Sequence, residues 1–421
     1  MKLKKLLMCV CLFGVIINAG AKSYEIDKTI TKTFKVSDGY TLSVENKYGN
    51  INVKTWDKQE IYFEIKITVG TNDKDVLQER LNSIDVKFEQ SGRTVSAQTV
   101  FNKTFENCNN CSMEINYQIT APKNINCKIE NKYGNVNLPS ITGASDINVK
   151  YGNLNTENLS GSNKINVEYG NLNSGNLSGN HNLINVKYGN IHIDNLIGDD
   201  NTLTAAYAGT ISIEKINKAK IDVKYSNLHI GTADELTIES GYTKVYIDKL
   251  NKSISTNIKY AAFDIKYVSP ALESVTVNAS YTNVNIKFDP NASFNLDAYT
   301  QYGNINFRSS NIASIESTSA SVESTSGSGG SSSASGGSMS WSGGSSSASS
   351  SSSLQQPQQP QQPARASSSS SSSARASSSH RSGNISSVSE SNKRYVSGVV
   401  GSSPKATVKI TNKYANINLN T

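Results

Sequence analysis

The cysteines are the side chains with which this 421-residue chain could most readily do chemistry. Cys108 and Cys111 form a Cys-x-x-Cys pair, and Cys127 follows further along the chain. A structural zinc site needs four ligands, and no second such pair or His pair lies nearby. The spacing therefore favours a disulfide among Cys108, Cys111 and Cys127 that staples a loop, over a metal or redox site. An odd number of cysteines leaves one thiol free or paired between chains.

The acidic and histidine side chains give no catalytic pattern of specific spacing. Asp199-Asp200 reads as a solvated turn, and Asp222 and Asp264 are too far apart in the repeat described below to act as a pair. His192 and His229 share one position of that repeat but lie two copies apart, too distant to bind one metal ion. The sequence predicts no catalytic residue, no metal site and no cofactor.

The elements that must position these side chains belong to a repeat. Tyrosine recurs at intervals of 17 to 21 residues from Tyr133 to Tyr302, with outlying copies at Tyr48 and Tyr414. A fixed period of about twenty residues indicates stacked structural units. Before the tyrosines, β-branched residues alternate with polar ones, as in Ile147-Asn148-Val149-Lys150, which predicts strands with one buried face. Helical repeats of the same period are excluded by the richness in asparagine and glycine.

We therefore predict an all-β fold, a right-handed parallel β-solenoid of about 18–19 residues per coil. The tyrosine shares the buried parity, so its ring is expected to fill an interior corner and stack on its neighbours. Gly-Asn after each tyrosine is expected to make the corner with φ > 0, and the asparagine amides to form a ladder. This predicted corner ladder consists of Tyr133, Tyr151, Tyr169, Tyr188, Tyr225, Asn135, Asn153, Asn171 and Asn190.

Polar side chains at outward positions of the repeat form rows that could bind a surface. The predicted binding row consists of Lys132, Lys150, Lys187, Lys224, Asn137, Asn155 and Asn173. A glycan or a host or envelope surface protein is the partner that such a row suggests, and a solvated face is the alternative. The lysine row is interrupted by Glu168.

The first residues indicate export. Three lysines, an apolar stretch and Ala19-Gly20-Ala21 predict a signal peptide over residues 1–21, so that the mature chain is periplasmic, surface-bound or secreted, with no transmembrane segment. The net charge of +7 falls to +4 without Lys2, Lys4 and Lys5, which is too little to argue for nucleic acid as a partner.

The rest of the chain divides by composition. Residues 22–126 hold the first strands, the first coil and an insertion expected to cap the array, with a short helix that begins at Asn72 or Asp73. Residues 127–308 form the solenoid, and residues 309–392, rich in Ser, Gly and Gln-Pro, are predicted to be disordered. Residues 393–421 repeat the pattern around Tyr414 and are expected to dock as the last coil.

The phrase "VENKYGNINVKTWDKQEIYFEIKITV" at 44–69, the strand "INYQITAPKNI" at 115–125 and the "KYGN" repeats resemble a family of exported bacterial domains of unknown function named "putative adhesin", of the Bacteroidetes type. The resemblance covers residues 24–307 and the tail. It implies an exported β-solenoid and, by the family name, adhesion; it brings no catalytic residue, and the serine-rich segment departs from the pattern.

These observations predict a non-enzymatic, adhesin-like or envelope scaffold protein that binds through a repetitive surface. An enzyme of the parallel β-helix type, a polysaccharide lyase or hydrolase, is the alternative. A mineral or ice surface is a third class of ligand that regular outward rows allow.

Overall fold

The computed structural model describes residues 9–17, 24–103, 111–318, 321–324 and 392–421. The chain divides into two compact units, residues 1–329 with 391–421 and residues 330–390. The second unit lies outside the described residues, as does most of the predicted serine-rich segment. No helix of the described part is long and apolar enough to cross a membrane.

The described residues are almost entirely β-strand, which confirms the prediction of an all-β chain. The N-terminal part contains β1 (Cys9–Ile17), β2 (Tyr24–Lys35), β3 (Thr41–Lys47), β4 (Ile51–Trp56), β5 (Glu60–Thr71), α1 (Lys74–Ser83), β6 (Ile84–Ser91), β7 (Thr94–Phe101) and β8 (Ser112–Pro122). The repeats supply β9 (Asn126–Lys132), β10 (Val136–Leu138), β11 (Ser145–Lys150), β12 (Leu154–Thr156), β13 (Asn163–Glu168), β14 (Leu172–Leu177), β15 (His181–Lys187), β16 (Ile191–Leu196) and β17 (Asp200–Ala206).

Three long strands and a set of shorter ones complete the sheet. They are β18 (Thr210–Lys224), β19 (Asn227–Gly241), β20 (Lys244–Lys259), β21 (Ala262–Val268), β22 (Ser274–Ser280), β23 (Asn283–Phe288), β24 (Phe294–Gln301), β25 (Ile305–Ser309), β26 (Ile312–Thr318) and β27 (Ser321–Ser324). The tail supplies β28 (Lys393–Val400), β29 (Ala406–Lys413) and β30 (Ile417–Asn420).

Strands that precede a tyrosine pair in parallel with the equivalent strands of the neighbouring copies. In this pre-tyrosine ladder, Ile147 lies between Ile129 and Ile165 in register. Strands that follow a tyrosine form a post-tyrosine ladder, in which Leu154 lies between Val136 and Leu172. Each sequence period is therefore one step along both ladders. The long strands β18, β19 and β20 run through both ladders without interruption.

The alternation in sequence explains which side chains enter the core. Ile147, Val149, Leu154 and Leu159 are fully buried in one repeat, and the same positions are buried in its neighbours. Each fully buried aliphatic side chain contributes ~1.5–3 kcal/mol relative to exposure. A strand pair of this length cannot close a core by itself, so stability depends on stacking with the neighbouring repeats.

Both ends of the array leave the parallel pattern. At the N-terminal end, β1, β2, β5 and β8 pair antiparallel before β8 joins β4 in parallel, and β6 pairs antiparallel with β7. At the other end, β28 pairs antiparallel with both β24 and β26. The sheet thus has mixed strand orientation, because chain reversals at the ends give edge strands a partner.

The insertion between β4 and β9 contains the only helix of the described residues. Asp73 is the N-cap of α1, and its side chain accepts a hydrogen bond from the Asp75 backbone N–H at 3.0 Å. Leu77 and Leu81 are buried, and the helix contacts β5 and β2. The rest of the insertion consists of β5, the antiparallel pair β6 and β7, and β8.

The tail lies inside the array and not at its end. Strand β29 pairs in parallel with β22 on one side and β24 on the other, and β30 lies likewise between β23 and β25. The expectation of a last coil is therefore wrong. Between the copies of Tyr281 and Tyr302, each of the two ladders lacks one strand. The tail supplies both missing strands, β29 and β30.

The predicted start of disorder at residue 309 is also wrong. Strands β26 and β27 fall within residues 309–392, and Ile312 and Ile315 pack against the core. Strand β26 needs only these two apolar residues to pair, because the edge of β28 is available to it. Of the predicted signal peptide, the structure describes only the backbone of β1; its cleavage stays a prediction.

Because the tail is bonded on both sides, we expect it to stay in place without a covalent connection. A protease site inserted between residues 325 and 391 and then cleaved should leave residues 392–421 bound to the main fragment. Size-exclusion chromatography with mass spectrometry checks this. Elution of the tail as a free peptide in buffer without denaturant would contradict the pairing; cleavage followed by denaturant is the control that must release it.

Candidate functional site

The corners of the repeat present tyrosine to solvent. Twelve tyrosines, from Tyr48 to Tyr414, have positive φ between 52° and 69°. Left-handed backbone disfavours residues with a Cβ, so each such corner is strained by on the order of 1 kcal/mol or more. The prediction that the Gly-Asn pair supplies the positive φ is therefore wrong, because the tyrosine itself turns the chain.

The tyrosine rings form one stack on the outside of the molecule. Neighbouring ring centroids are 4.5 to 5.3 Å apart and nearly parallel; the order is Tyr48, Tyr133, Tyr151, Tyr169, Tyr188, Tyr207, Tyr225, Tyr242, Tyr260, Tyr281, Tyr414 and Tyr302. From Tyr133 onward the rings are 40–53% exposed. The expectation of an interior corner is wrong, because the left-handed turn directs the side chain outward. Each pair contributes ~0.5–1.5 kcal/mol, which offsets the strain.

Stacking determines what the rings can offer a ligand. Inside the stack both faces of every ring are covered by neighbours, and the outer face of Tyr48 meets the edge of Phe101 at 6.1 Å. The solvent therefore meets ring edges and hydroxyl groups. From Tyr48 to Tyr414, a sugar or another planar ligand therefore finds no free aromatic face in this row.

In six of the twelve corners the residue after the tyrosine is a glycine that lies very close to a neighbouring backbone, whereas the other six corners carry Ala, Ser or Thr. A Cβ on Gly152 would lie 1.9 Å from the carbonyl oxygen of Gly134, and one on Gly170 would lie 1.8 Å from that of Gly152. Neither glycine has positive φ. The glycines thus permit the corners of adjacent repeats to stack at the spacing of the sheet.

The asparagine two residues after the tyrosine binds the backbone of the next repeat. The Oδ1 atoms of Asn135, Asn153 and Asn171 accept hydrogen bonds from the backbone N–H of the following copies, at 2.8 to 2.9 Å. Asn190 accepts similarly from Thr210 at 2.9 Å. Of the expected ladder between amides, Asn190 Nδ2 donates to Asn171 Oδ1 at 3.1 Å. The side chain to backbone bonds give these asparagines a structural role.

The predicted lysine row lies along the tyrosine stack. Lys132 Nζ is 4.9 Å from the ring centroid of Tyr133. Lys150 Nζ lies 5.5 Å from the Tyr151 centroid and 2.8 Å from Glu168, and the hydrogen bond to Glu168 raises the pKa of Lys150. Lys187 is exposed, and Lys224 lies 3.9 Å from Asp222. The acidic neighbours divide the row, so it is no continuous cationic surface.

The predicted asparagine row does form an amide ladder. Asn137 Nδ2 donates to Asn52 Oδ1 at 2.6 Å, Asn155 to Asn137 at 2.8 Å, and Asn173 to Asn155 at 2.9 Å. These side chains are half-buried or exposed on the outer face of the post-tyrosine ladder. The structure thus brings together Asn137, Asn155 and Asn173 as neighbours in one row.

A shallow groove of about 590 Å³ follows this row. Its other lining residues are Val53, Lys54, Thr55, Leu138, Pro139, Thr156, Glu157, Ser174, Gly175, His192 and Asp194. The groove lies where β10 and β12, each three residues long, adjoin β14 and β16, each six residues long. Sequence reasoning missed it, although Pro139 directly after Val136-Asn137-Leu138 signals the end of a strand.

The two histidines singled out in the sequence each lie beside a carboxylate. His192 lies 3.2 Å from Asp194, and His229 lies 3.0 Å from Asp248. A second cavity of about 300 Å³ contains Asp199 together with acidic and basic residues, Asp234, Glu235, Lys218 and Lys252. Within the described ranges no group of three or more His, Cys, Asp or Glu is placed to hold a metal ion.

The cysteines separate into two kinds. Cys111 is disulfide-bonded, and Cys108 lies outside the described residues. Cys127 is a free thiol buried in the core of β9. Cys127 therefore forms no loop-closing disulfide, because its side chain points into the core. Burial raises the pKa of Cys127 to about 12.

No family model and no curated protein matches this sequence. Solved structures that match include a "putative adhesin" and a "putative lipid binding protein", both from Parabacteroides distasonis. They have identities of 13% and 14% and TM-scores of 0.31 and 0.29, and each match covers 61% of this chain and 96% of the other. A "putative cell adhesion protein" from Clostridium sporogenes has 8% identity and a TM-score of 0.18 over 94% of this chain and 99% of its own. At these TM-scores the likenesses carry no argument about function.

The glycine contacts predict a large effect of one methyl group. Gly152→Ala should lower the free energy of unfolding by about 2 kcal/mol, because its Cβ would lie 1.9 Å from the Gly134 carbonyl oxygen and the paired backbones would have to shift apart. Gly241→Ala is the matched control, since a Cβ there meets nothing within 4 Å. Urea denaturation followed by circular dichroism measures both. Equal stability of the two variants would contradict the close approach.

The raised pKa of Cys127 predicts that its thiol does not react with alkylating reagents in the folded protein. At pH 8, four units below a pKa of about 12, the thiolate fraction in the folded protein is about one part in ten thousand. Iodoacetamide should therefore label Cys127 only after unfolding in urea, as measured by mass spectrometry without reduction. Rapid labelling of Cys127 in the native protein would show that it is exposed.

Proposed function

We propose that this protein is an exported, non-enzymatic binding protein, adhesin-like or an envelope scaffold, which uses its repetitive outer surface. The observation that carries the proposal is the register of the outward side chains. Successive copies place the same type of group at steps of one ladder spacing, seen most directly in the tyrosine stack. A polymeric ligand with a short repeat meets equivalent contacts along such a surface.

Repetition converts weak contacts into firm binding. Each copy offers a few polar groups, and a polymer that engages several copies gains avidity without any strong single contact. The finer description of the fold belongs to this proposal: the two parallel ladders are expected to wind as a right-handed solenoid, since parallel crossovers are right-handed in nearly all known cases. A glycan or an envelope or host surface protein is the class of partner we expect.

Location follows from the predicted signal peptide and is tested with the function. We expect removal of residues 1–21 and accessibility of the mature chain to an external protease on intact cells. N-terminal sequencing and surface shaving measure these two properties. If the protein on intact cells is protected from external protease, it lies beneath the outermost layer of the envelope. That result would contradict a role in adhesion to external surfaces.

Binding itself is tested with mature protein, residues 22–421, on arrays of polysaccharides and extracellular-matrix proteins. We expect retention of at least one polymer, and weaker retention by a variant that lacks residues 208–242. This deletion joins Tyr207 to Thr243 and removes two copies while keeping the register. Absence of binding to every polymer would overturn the proposed function. Undiminished binding by a folded deletion variant would overturn the role of repetition.

A further inference from the structure

The outer surface is regular along most of the array, and the groove is where it departs from regularity. We propose that this groove, lined by Asn137, Asn155 and Asn173, is a binding site for an uncharged, extended glycan segment. The proposal rests on the proposed binding function and specifies one site and one ligand class for it.

The asparagine row presents both donors and acceptors. Asn137 and Asn155 each use one N–H and one Oδ1 lone pair within the ladder. An amide has two N–H groups and two lone pairs, so each of these side chains keeps one donor and one acceptor. Sugar hydroxyl groups both donate and accept. The row therefore complements hydroxyl groups that recur at the spacing of the ladder.

The groove lies beside two three-residue strands of the post-tyrosine ladder. Pro139 and Glu157 follow directly after β10 and β12, whereas the next two strands of the ladder, β14 and β16, run for six residues. Backbone hydrogen bonds between copies continue past both short strands, from the Glu157 N–H to the Leu138 carbonyl at 3.1 Å and from the Ile141 N–H to the Asn158 carbonyl at 2.9 Å. The groove is therefore open to a ligand beside asparagines that a hydrogen-bonded backbone holds in place.

The charges around the groove disfavour a charged polymer. Lys54 lies at one end, and Asp194 lies at the other beside His192 at 3.2 Å. Glu157 accepts hydrogen bonds from the backbone and hydroxyl of Ser140 at 3.1 and 2.8 Å. A polyanion would meet Glu157 and Asp194, and a polycation would meet Lys54. A neutral ligand meets no repulsion at any position.

The dimensions fix the length of the ligand. The groove crosses five consecutive strands, β4, β10, β12, β14 and β16. Four ladder steps amount to ~19 Å, so about four sugar rings fit if one ring matches each step. The tyrosine row cannot replace this site, because its ring faces are covered by stacking. Recognition in the groove therefore relies on hydrogen bonds.

The chain contains a matched control for the asparagine ladder. Further along the same row Asn285 Nδ2 donates to Asp264 at 2.5 Å, Asn418 to Asn285 at 2.7 Å, and Asn306 to Asn418 at 2.8 Å. The amides of Asn285, Asn418 and Asn306 bond to one another along this row, but the groove does not reach them. Substitution of the neighbours Asn285 and Asn418 removes bonds of the same kind without touching the site.

The test is calorimetric titration of mature protein with cellotetraose, chitotetraose and mannotetraose. We expect one tetrasaccharide to bind, and the double variant Asn155→Ala with Asn173→Ala to bind it at least about tenfold more weakly. The double variant Asn285→Ala with Asn418→Ala should bind within about twofold of the parent protein. Circular dichroism and thermal unfolding confirm that both variants are folded.

Equal losses in the two double variants would overturn the groove as the site, as would displacement of the tetrasaccharide by polygalacturonate. Failure of all three tetrasaccharides to bind, while polymers are retained on the array, overturns this inference alone. The proposed function then stands with another surface. Failure of both assays overturns the proposed function as well.

Discussion

The structure depends on the contact between successive corner backbones. At Gly134, Gly152 and Gly170 the main chain of one copy lies against the carbonyl of the preceding one, so closely that no Cβ fits. Six other corners carry Ala, Ser or Thr in place of this glycine, and there the tyrosine N–H still donates to the neighbouring copy, as from Tyr207 to the Lys224 carbonyl at 3.0 Å. The parallel ladders, the tyrosine stack and the asparagine rows follow from this in-register backbone contact, because side chains at equivalent positions must then lie directly beside one another.

On such a regular surface, only some side chains keep groups that are available to bind a ligand. Groups that stack well, such as the tyrosine rings, cover their own faces and lose the capacity to bind through them. Groups that bond along the row, such as Asn137 and Asn155, keep half of their hydrogen-bonding capacity for solvent or a ligand. Binding chemistry is therefore concentrated in polar rows and in places where the strand pattern is interrupted.

Alternation of apolar residues was sufficient to predict the strands and their period, since buried positions such as Ile147 and Val149 require it. The direction of the tyrosine side chains was not predictable by parity, because a left-handed residue breaks the alternation at the corner itself. The sequence also did not show why glycine occurs at these corners, because the clash that a Cβ would cause is with the backbone of the neighbouring copy and not within one copy. The groove arises from shortened strands, for which Pro139 is the clearest local signal.

The position of β29 and β30 within the array has a consequence for biosynthesis. Strands β24 and β25 have no neighbour on their inner side until β29 and β30 have been synthesised. A nascent polypeptide can complete most of its ladders as it emerges, but Asn306 of β25 must wait for Asn418, which lies 112 residues further along the chain. A nascent chain that has reached only β27 therefore has an open seam, and the copies around β24 and β25 are completed only after the intervening segment has been made.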